Sequence, residues 1–164
     1  MDKKVQDAIN EQIRNELASG YLYLSMSAHF SEQNLDGFAA WMRLQAREEV
    51  GHAMKLYDWV LFRGGRVVLK DVAAPPSEFG TPLEVFEQVL AHERKVTGMI
   101  HKLFELTRER GDHASEVELQ WFVTEQVEEE DSAGRAVEQL RLAGDSTPAI
   151  LMLDSRFGAR DSAG

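Results

Sequence analysis

The stretch that decides the fold is residues 81–104, which read TPLEVFEQVLAHERKVTGMIHKLF. A helix is expected to begin here, because Thr81 is a good cap, Pro82 suits the first helical position and Glu84 completes a capping box. Within it, core positions recur at alternating spacings of three and four, as in a helix that packs one stripe into a bundle. The stripe consists of Phe86, Val89, Glu93, Val96, Ile100 and Leu103. Glu93 is its only charged member, so an acid is predicted in the core.

Three more long helices are predicted around this one, over about residues 3–32, 36–63 and 112–143. Each contains a stripe of core positions with the same spacing, and polar residues occupy this stripe near the middle of each helix. Midpoints of helices of similar length lie at one level in a bundle, so the polar members should converge on one region of the core. These members are Glu16, Glu49, His52, Glu93, Gln126 and Glu129.

The loop lengths predict the topology. Short turns after the first and third helices make each of those pairs antiparallel. The link over residues 64–80 can span roughly 55–60 Å, whereas the second and third helices are roughly 42 Å long, so these two helices are expected to be parallel. A fifth helix is predicted over about residues 148–157, with a frayed tail over 158–164. The predicted fold is an all-α four-helix bundle (about 3–143) with one long crossover and a short C-terminal helix, in a single domain of residues 1–164.

The composition of the chain argues against several kinds of binding site and partner. The chain has no cysteine, which excludes thiolate metal sites and iron–sulfur clusters. Its formal net charge of −10 argues against a nucleic-acid surface. It has no run of about 18 apolar residues that would span a membrane, and no secretory signal at its start. We therefore expect a cytoplasmic protein with neither nucleic acid nor membrane as a partner.

A cluster of buried carboxylates needs positive counter-charge, because each ionised carboxylate costs several kcal/mol in the interior. No Lys or Arg lies in the four stripes near this level. Glu49 and His52, three residues apart, share one helix face and can bind one ion together. A single such Glu is most often a surface residue and a single His a packed core residue. Six of them at matched depths favour a metal site, and carboxylates with one imidazole suit iron or manganese better than copper.

Four segments resemble the prokaryotic non-haem ferritins. They are NEQIRNEL at residues 10–17, REEVGHA at 47–53, AHE at 91–93 and WFVTEQVEE at 121–129. The similarity extends from about residue 3 to residue 157. It implies a ferritin-like bundle with a di-iron centre, whose known pattern is one Glu from each of two helices and Glu-x-x-His from each of the other two. Where a second Glu-x-x-His would fall, this chain has Gln126-Val127-Glu128-Glu129.

The resemblance also implies a role for each site residue. The first iron site would consist of Glu16, Glu49 and His52. Glu49 would bridge to a second site with Glu93 and Glu129, and Gln126 would lie close by. A third iron site would consist of Glu48, Glu125, Glu128 and Glu129, whose alternative interpretation is ordinary surface charge. Tyr23 and Trp121 match aromatic residues beside the iron centre that take part in electron transfer, and their alternative role is core packing.

No haem is expected, because Val50 and Glu129 stand where haem-binding relatives have methionine and histidine. The implied function is iron storage and detoxification, with ferroxidase oxidation of Fe(II) by dioxygen or hydrogen peroxide. The implied assembly is a hollow homo-oligomer of twenty-four subunits. Two alternatives stay open: a di-iron carboxylate oxidase acting on another substrate, and a metal-free structural bundle whose central acids are solvated.

Overall fold

The computed structural model describes residues 1–160, which form five helices. Helix α1 covers Lys3–Glu32, α2 Asp36–Phe62, α3 Pro82–Glu109, α4 His113–Ala143 and α5 Thr147–Gly158. The predicted capping box is present, with Thr81 and Glu84 each bonding the other's backbone N–H. Asp112 caps α4 by accepting from the N–H of Ser115. Within residues 1–160, no helix is long and apolar enough to cross a membrane.

Contacts between the helices confirm the predicted bundle and its topology. Along α2 and α4, Gln45 meets Glu129 whereas Trp59 meets Ser115, so one residue number rises as the other falls and the two helices are antiparallel. Contacts between α3 and α4 also run in opposite directions, from Glu87–Arg141 to Thr97–Glu130. Since α4 is antiparallel to both, α2 and α3 are parallel, as the long crossover requires.

The crossover runs along α1, which anchors it by side-chain hydrogen bonds. Buried Asn10 donates to the Arg66 carbonyl oxygen at 3.0 Å and accepts from the Val68 N–H at 3.1 Å. Further along, the Ser25 hydroxyl donates to the Pro76 carbonyl oxygen. These contacts explain how a link without secondary structure stays ordered: its backbone polar groups find partners on a helix.

Two apolar clusters fill the bundle, one at each end. The first contains Tyr23, Met26, Phe30, Phe38, Met42, Phe86, Val89 and Leu140 among others. The second contains Val5, Ile9, Ile13, Leu56, Val96, Ile100, Leu119 and Phe122 among others. All six stripe residues of α3 are buried. The same spacing on α4 gives Leu119, Phe122, Gln126, Glu129, Ala133, Ala136 and Leu140, which are also buried. On α2 this spacing predicts Trp59 as a core residue, but Trp59 is only half-buried, and its neighbour Val60 is buried instead. The predicted polar residues lie between the two clusters.

Helix α5 packs against the end of the bundle near the start of α2. Phe157 stacks edge-on against both Phe38 and Phe86. The Phe38 N–H donates to the Asp154 carboxylate at 2.8 Å. A Cβ at Gly37 would lie 1.8 Å from the Asp154 carbonyl oxygen, so only glycine allows this close approach.

The prediction of a frayed tail over 158–164 was wrong at its beginning. Gly158 belongs to α5, and Arg160 hydrogen-bonds to side chains of α2. The energetic reason is that these bonds and a contact with an aromatic ring offset the entropy of ordering the chain end. Residues 161–164 lie outside the described part of the chain.

Candidate metal centre

The six polar side chains predicted to converge do so, in the layer between the two apolar clusters. None of them is more than 6% exposed, and Glu93 is fully buried. Each helix of the bundle contributes at least one, because each stripe faces the common axis. That these side chains bind metal stays a prediction. They are Glu16, Glu49, His52, Glu93, Gln126 and Glu129.

Glu16, Glu49 and His52 form a compact group. One potential ligand atom from each lies within 4.8 Å of the others. The Glu49 Oε2 atom is 3.5 Å from His52 Nδ1, and Gln12 donates to Glu16 Oε1 at 2.8 Å. Oε2 of both Glu16 and Glu49 is buried without a hydrogen-bond partner. Buried oxygens without donors are costly, and a cation among them would remove that cost, so this donor set fits a metal ion.

On the other side of Glu49, hydrogen bonds hold two more carboxylates. The Tyr23 hydroxyl and the Gln126 amide both donate to Glu93, the latter at 3.2 Å. Gln45 donates to Glu129 Oε2 at 2.6 Å. These donors come from three helices and fix how Glu93 and Glu129 point into the layer.

Burial raises the pKa of all four carboxyl groups in this layer. The pKa values of Glu16, Glu49 and Glu93 lie above the usual range mainly because their charged forms are desolvated. Repulsion between neighbouring carboxylates adds to the effect, Glu49 acting on Glu16 and Glu93 acting on Glu49. Burial, with repulsion from Glu93, raises the pKa of Glu129 to about 7. Protons are thus one way to neutralise the cluster, and metal cations are another.

The sequence model of the family described as Ferritin-like domain matches residues 6–143, most of the chain. The chain belongs to the ferritin family. A bacterial non-heme ferritin from Bacteroides fragilis is 42% identical over 160 residues, covering 98% of this chain and 99% of the relative. One from Staphylococcus epidermidis is 36% identical over 160 residues, covering 98% and 96%. Ferritins bind iron, and buried carboxylates with one imidazole are suitable ligands for iron.

Solved structures of ferritins also match closely. An open pore ferritin from the hyperthermophilic archaeon Archaeoglobus fulgidus superimposes with a TM-score of 0.97 at 48% identity, covering 98% of this chain and 99% of that one. A humanized archaeal ferritin superimposes with a TM-score of 0.98 at 46% identity, covering 100% and 99%. The ferritin fold, with its crossover and fifth helix, is therefore confirmed for this chain.

The side chains predicted for a third iron site are only partly brought together in this ferritin. Glu125 joins His52 and Glu129 in a second group whose ligand atoms lie within 4.8 Å of one another. Glu48 is instead ion-paired with Arg160 at 3.0 Å, and Glu128 is exposed to solvent. Glu125 is half-buried, and this burial raises its pKa.

The two aromatic residues of this ferritin occupy different environments. Tyr23 is fully buried and donates to Glu93, so it is part of the layer of buried polar side chains as well as of the core. Trp121 is 40% exposed and lies edge-on to His52, with 5.3 Å between the ring centroids. Core packing alone therefore does not describe Trp121.

Three further residues beside this candidate centre were not predicted from the sequence. Gln45 lies on α2 one turn before Glu49, and this spacing is the available signal for its bond to Glu129. Thr97 lies on α3 one turn after Glu93 and accepts from the Gln126 amide at 3.2 Å. Arg160 offered no periodic signal, because it follows the end of α5.

Proposed function

We propose that this ferritin stores iron and oxidises Fe(II) to Fe(III) at a di-iron centre contained within one chain. The observation that carries the proposal is the meeting of four buried glutamates at one level of the bundle. His52 is the basic side chain that faces them. One imidazole cannot balance four ionised carboxylates, so two divalent cations are the natural counter-charge.

The energetics support metal binding over a metal-free scaffold. Each unneutralised buried carboxylate costs several kcal/mol, and a domain of this size has a net stability of about 5–15 kcal/mol. A purely structural bundle would gain stability from apolar residues at these positions. Keeping four acids there is consistent with a role that needs their charge.

In the proposed reaction Fe(II) is the substrate, and the chain's own residues bind and orient it. Glu16 and His52 would hold one ion, and Glu93 and Glu129 the other. Glu49 would bridge the two, since its carboxylate contacts Glu16 on one side and is repelled by Glu93 on the other. Two Fe(II) ions release two electrons, which with two protons reduce dioxygen to hydrogen peroxide, or hydrogen peroxide to water.

The neighbouring residues keep this geometry and serve electron transfer. Gln45 and Tyr23 donate to Glu129 and Glu93 respectively, and so hold the two carboxylates in place without adding charge. Gln126 bonds Glu93 with its N–H₂ group and leaves its carbonyl oxygen as a neutral ligand. Tyr23 and Trp121 are proposed as electron donors, supported by their contacts with Glu93 and His52.

We further propose that the chain assembles in the cytoplasm into a shell of twenty-four copies, which stores the Fe(III) product as a mineral. Twenty-four copies of the 18.5 kDa chain would give a particle of roughly 450 kDa. Near-complete coverage of ferritin relatives supports this assembly. Acidic side chains around the centre, such as exposed Glu128, would pass iron from the centre towards the store.

The ferroxidase role is tested by Glu49→Ala and His52→Ala, with aerobic Fe(II) oxidation followed by absorbance. Initial rates should fall roughly a hundredfold, since each change removes a ligand of the first ion. The matched controls are Glu109→Ala and His101→Ala, both at exposed positions of α3. Rates in the Glu49 and His52 variants equal to those of the controls would refute the assigned centre.

Size-exclusion chromatography with iron analysis separates storage from the alternatives. A roughly 450 kDa particle that holds many more iron atoms than its centres can bind supports storage. An assembly that holds only the iron of its centres supports an oxidase acting on another substrate. A small oligomer that binds no iron supports a structural bundle.

A further inference from the structure

Arg160, two residues beyond the end of α5, lies beside the layer of buried polar side chains and contacts α2. Its Nη1 donates to Gln45 Oε1 at 2.7 Å, and its Nη2 donates to Glu48 Oε2 at 3.0 Å. Its guanidinium also lies over the ring of Trp41, with 4.9 Å from its central carbon to the ring centroid. Three contacts from α2 therefore fix the position of this charge.

The contact with Gln45 connects Arg160 to the centre itself. Gln45 is fully buried, and its amide has one oxygen and one nitrogen to orient. Because the oxygen accepts from Arg160, the nitrogen is directed to Glu129 Oε2, 2.6 Å away. Gln45 thus links Arg160 to Glu129 through two hydrogen bonds.

The contact with Glu48 places a fixed positive charge where a further cation would bind. Glu48 and Glu129 are both among the acids expected to hold a third ion. The Arg160 and Glu48 side chains are only 25% and 20% exposed, so water screens the pair incompletely. A divalent ion at Glu48 would have to displace the guanidinium or bind against its repulsion.

We propose that Arg160 is a specificity-determining residue that limits the centre to two cations, because its guanidinium supplies the counter-charge of Glu48 in place of a third ion. This inference rests on the proposed di-iron centre. It differs from simple anchoring of the chain end, which would affect stability and leave metal stoichiometry unchanged. Arg160 acts through Glu48 and Gln45 and is not itself a ligand.

The test is a calorimetric titration of chelator-treated protein with Zn(II), which binds carboxylate and imidazole without redox chemistry. Wild-type protein should bind two ions per subunit tightly. Arg160→Gln should bind a third roughly tenfold more tightly than wild type does, because the competing charge is gone. Arg160→Lys keeps the charge and should stay within about threefold of wild type. Arg156→Gln, an exposed arginine of the same segment, is the matched control.

A double-mutant cycle with Glu48→Gln assigns the effect to the ion pair. In that background, adding Arg160→Gln should give no further gain in affinity for a third ion. Equal stoichiometry and affinity in wild type and Arg160→Gln would overturn the inference, as would Arg160→Lys behaving like Arg160→Gln.

Aerobic oxidation of Fe(II) by the same samples separates this inference from the proposed function. The wild-type protein could oxidise Fe(II) and bind two Zn(II) ions, while Arg160→Gln binds Zn(II) with the same stoichiometry and affinity. That result would overturn only the role of Arg160. A wild-type protein that neither oxidises Fe(II) nor binds Zn(II) would overturn both proposals.

Discussion

The buried glutamates of the central layer should make the stability of the metal-free protein depend on pH. Burial raises the pKa of Glu129 from 4.5 to about 7, and that of Glu16, Glu49 and Glu93 moves in the same direction. Between pH 4.5 and about 7, Glu129 keeps in the folded state a proton that it has lost in the unfolded chain. The free energy of unfolding therefore falls as the pH rises through this interval.

Glu129→Gln tests this dependence, since glutamine keeps the size of the side chain and cannot ionise. In chelator-treated protein, raising the pH from about 5.5 to 7.5 should lower the Tm of wild type more than that of the variant. Differential scanning calorimetry at the two pH values measures the difference. An equal fall in both proteins would mean that Glu129 is already ionised at the lower pH.

At the residue scale, the sequence predicts which acids lie in the core better than it predicts which side chains hydrogen-bond to them. Glu16, Glu49, Glu93 and Glu129 interrupt apolar stripes, and that pattern is visible in one dimension. The bond from Gln45 to Glu129 joins α2 to α4, and periodicity within one helix carries no information about such a pair. Arg160 lies outside any periodic segment, so its contacts with α2 could not be inferred.

Among the elements, α5 depends on a close approach to the start of α2. Gly37→Ala should destabilise the protein by at least about 2 kcal/mol, because the new Cβ would overlap the Asp154 backbone. Gly98→Ala is the control: nothing lies within 4 Å of its Cβ position, and alanine favours an exposed helix interior by about 1 kcal/mol. Chemical denaturation monitored by circular dichroism should give changes of opposite sign. Destabilisation of the same size in both variants would contradict the observed packing of α5.

The crossover depends on Asn10, whose amide bonds both Arg66 and Val68. Asn10→Ala leaves the Arg66 carbonyl and the Val68 N–H without these partners, at a cost of about 1–3 kcal/mol. Hydrogen exchange followed by mass spectrometry should show faster exchange over residues 64–80, with the middle of α3 unchanged. Protection of 64–80 equal to that of wild type would show that Asn10 does not anchor the segment.

The existence and order of the helices could be predicted from the sequence, because the spacing of core positions marks each helix and a cap such as Thr81-Pro82 marks where one begins. The length of the 64–80 link correctly predicted that α2 and α3 are parallel. Its path along α1 was not predictable, since it depends on single hydrogen bonds between segments about 50–60 residues apart. The same limit applies to the end of α5, where long-range contacts keep residues 158–160 in place.

At the scale of the whole molecule, two apolar clusters fill the bundle and a layer of buried polar side chains separates them. A continuous apolar core would be simpler to stabilise, so the interruption by four acids is the feature that calls for a function. Membership of the ferritin family connects that layer with iron. The central claim is that two iron ions bind there, within one chain.

The most direct test of that claim is anomalous X-ray diffraction at the iron edge from crystals soaked anaerobically in Fe(II). The proposed centre predicts two iron peaks in every subunit, one beside Glu16 and His52 and the other beside Glu93 and Glu129, with Glu49 between them. Iron found only at surface carboxylates, with no peak inside the bundle, would contradict it.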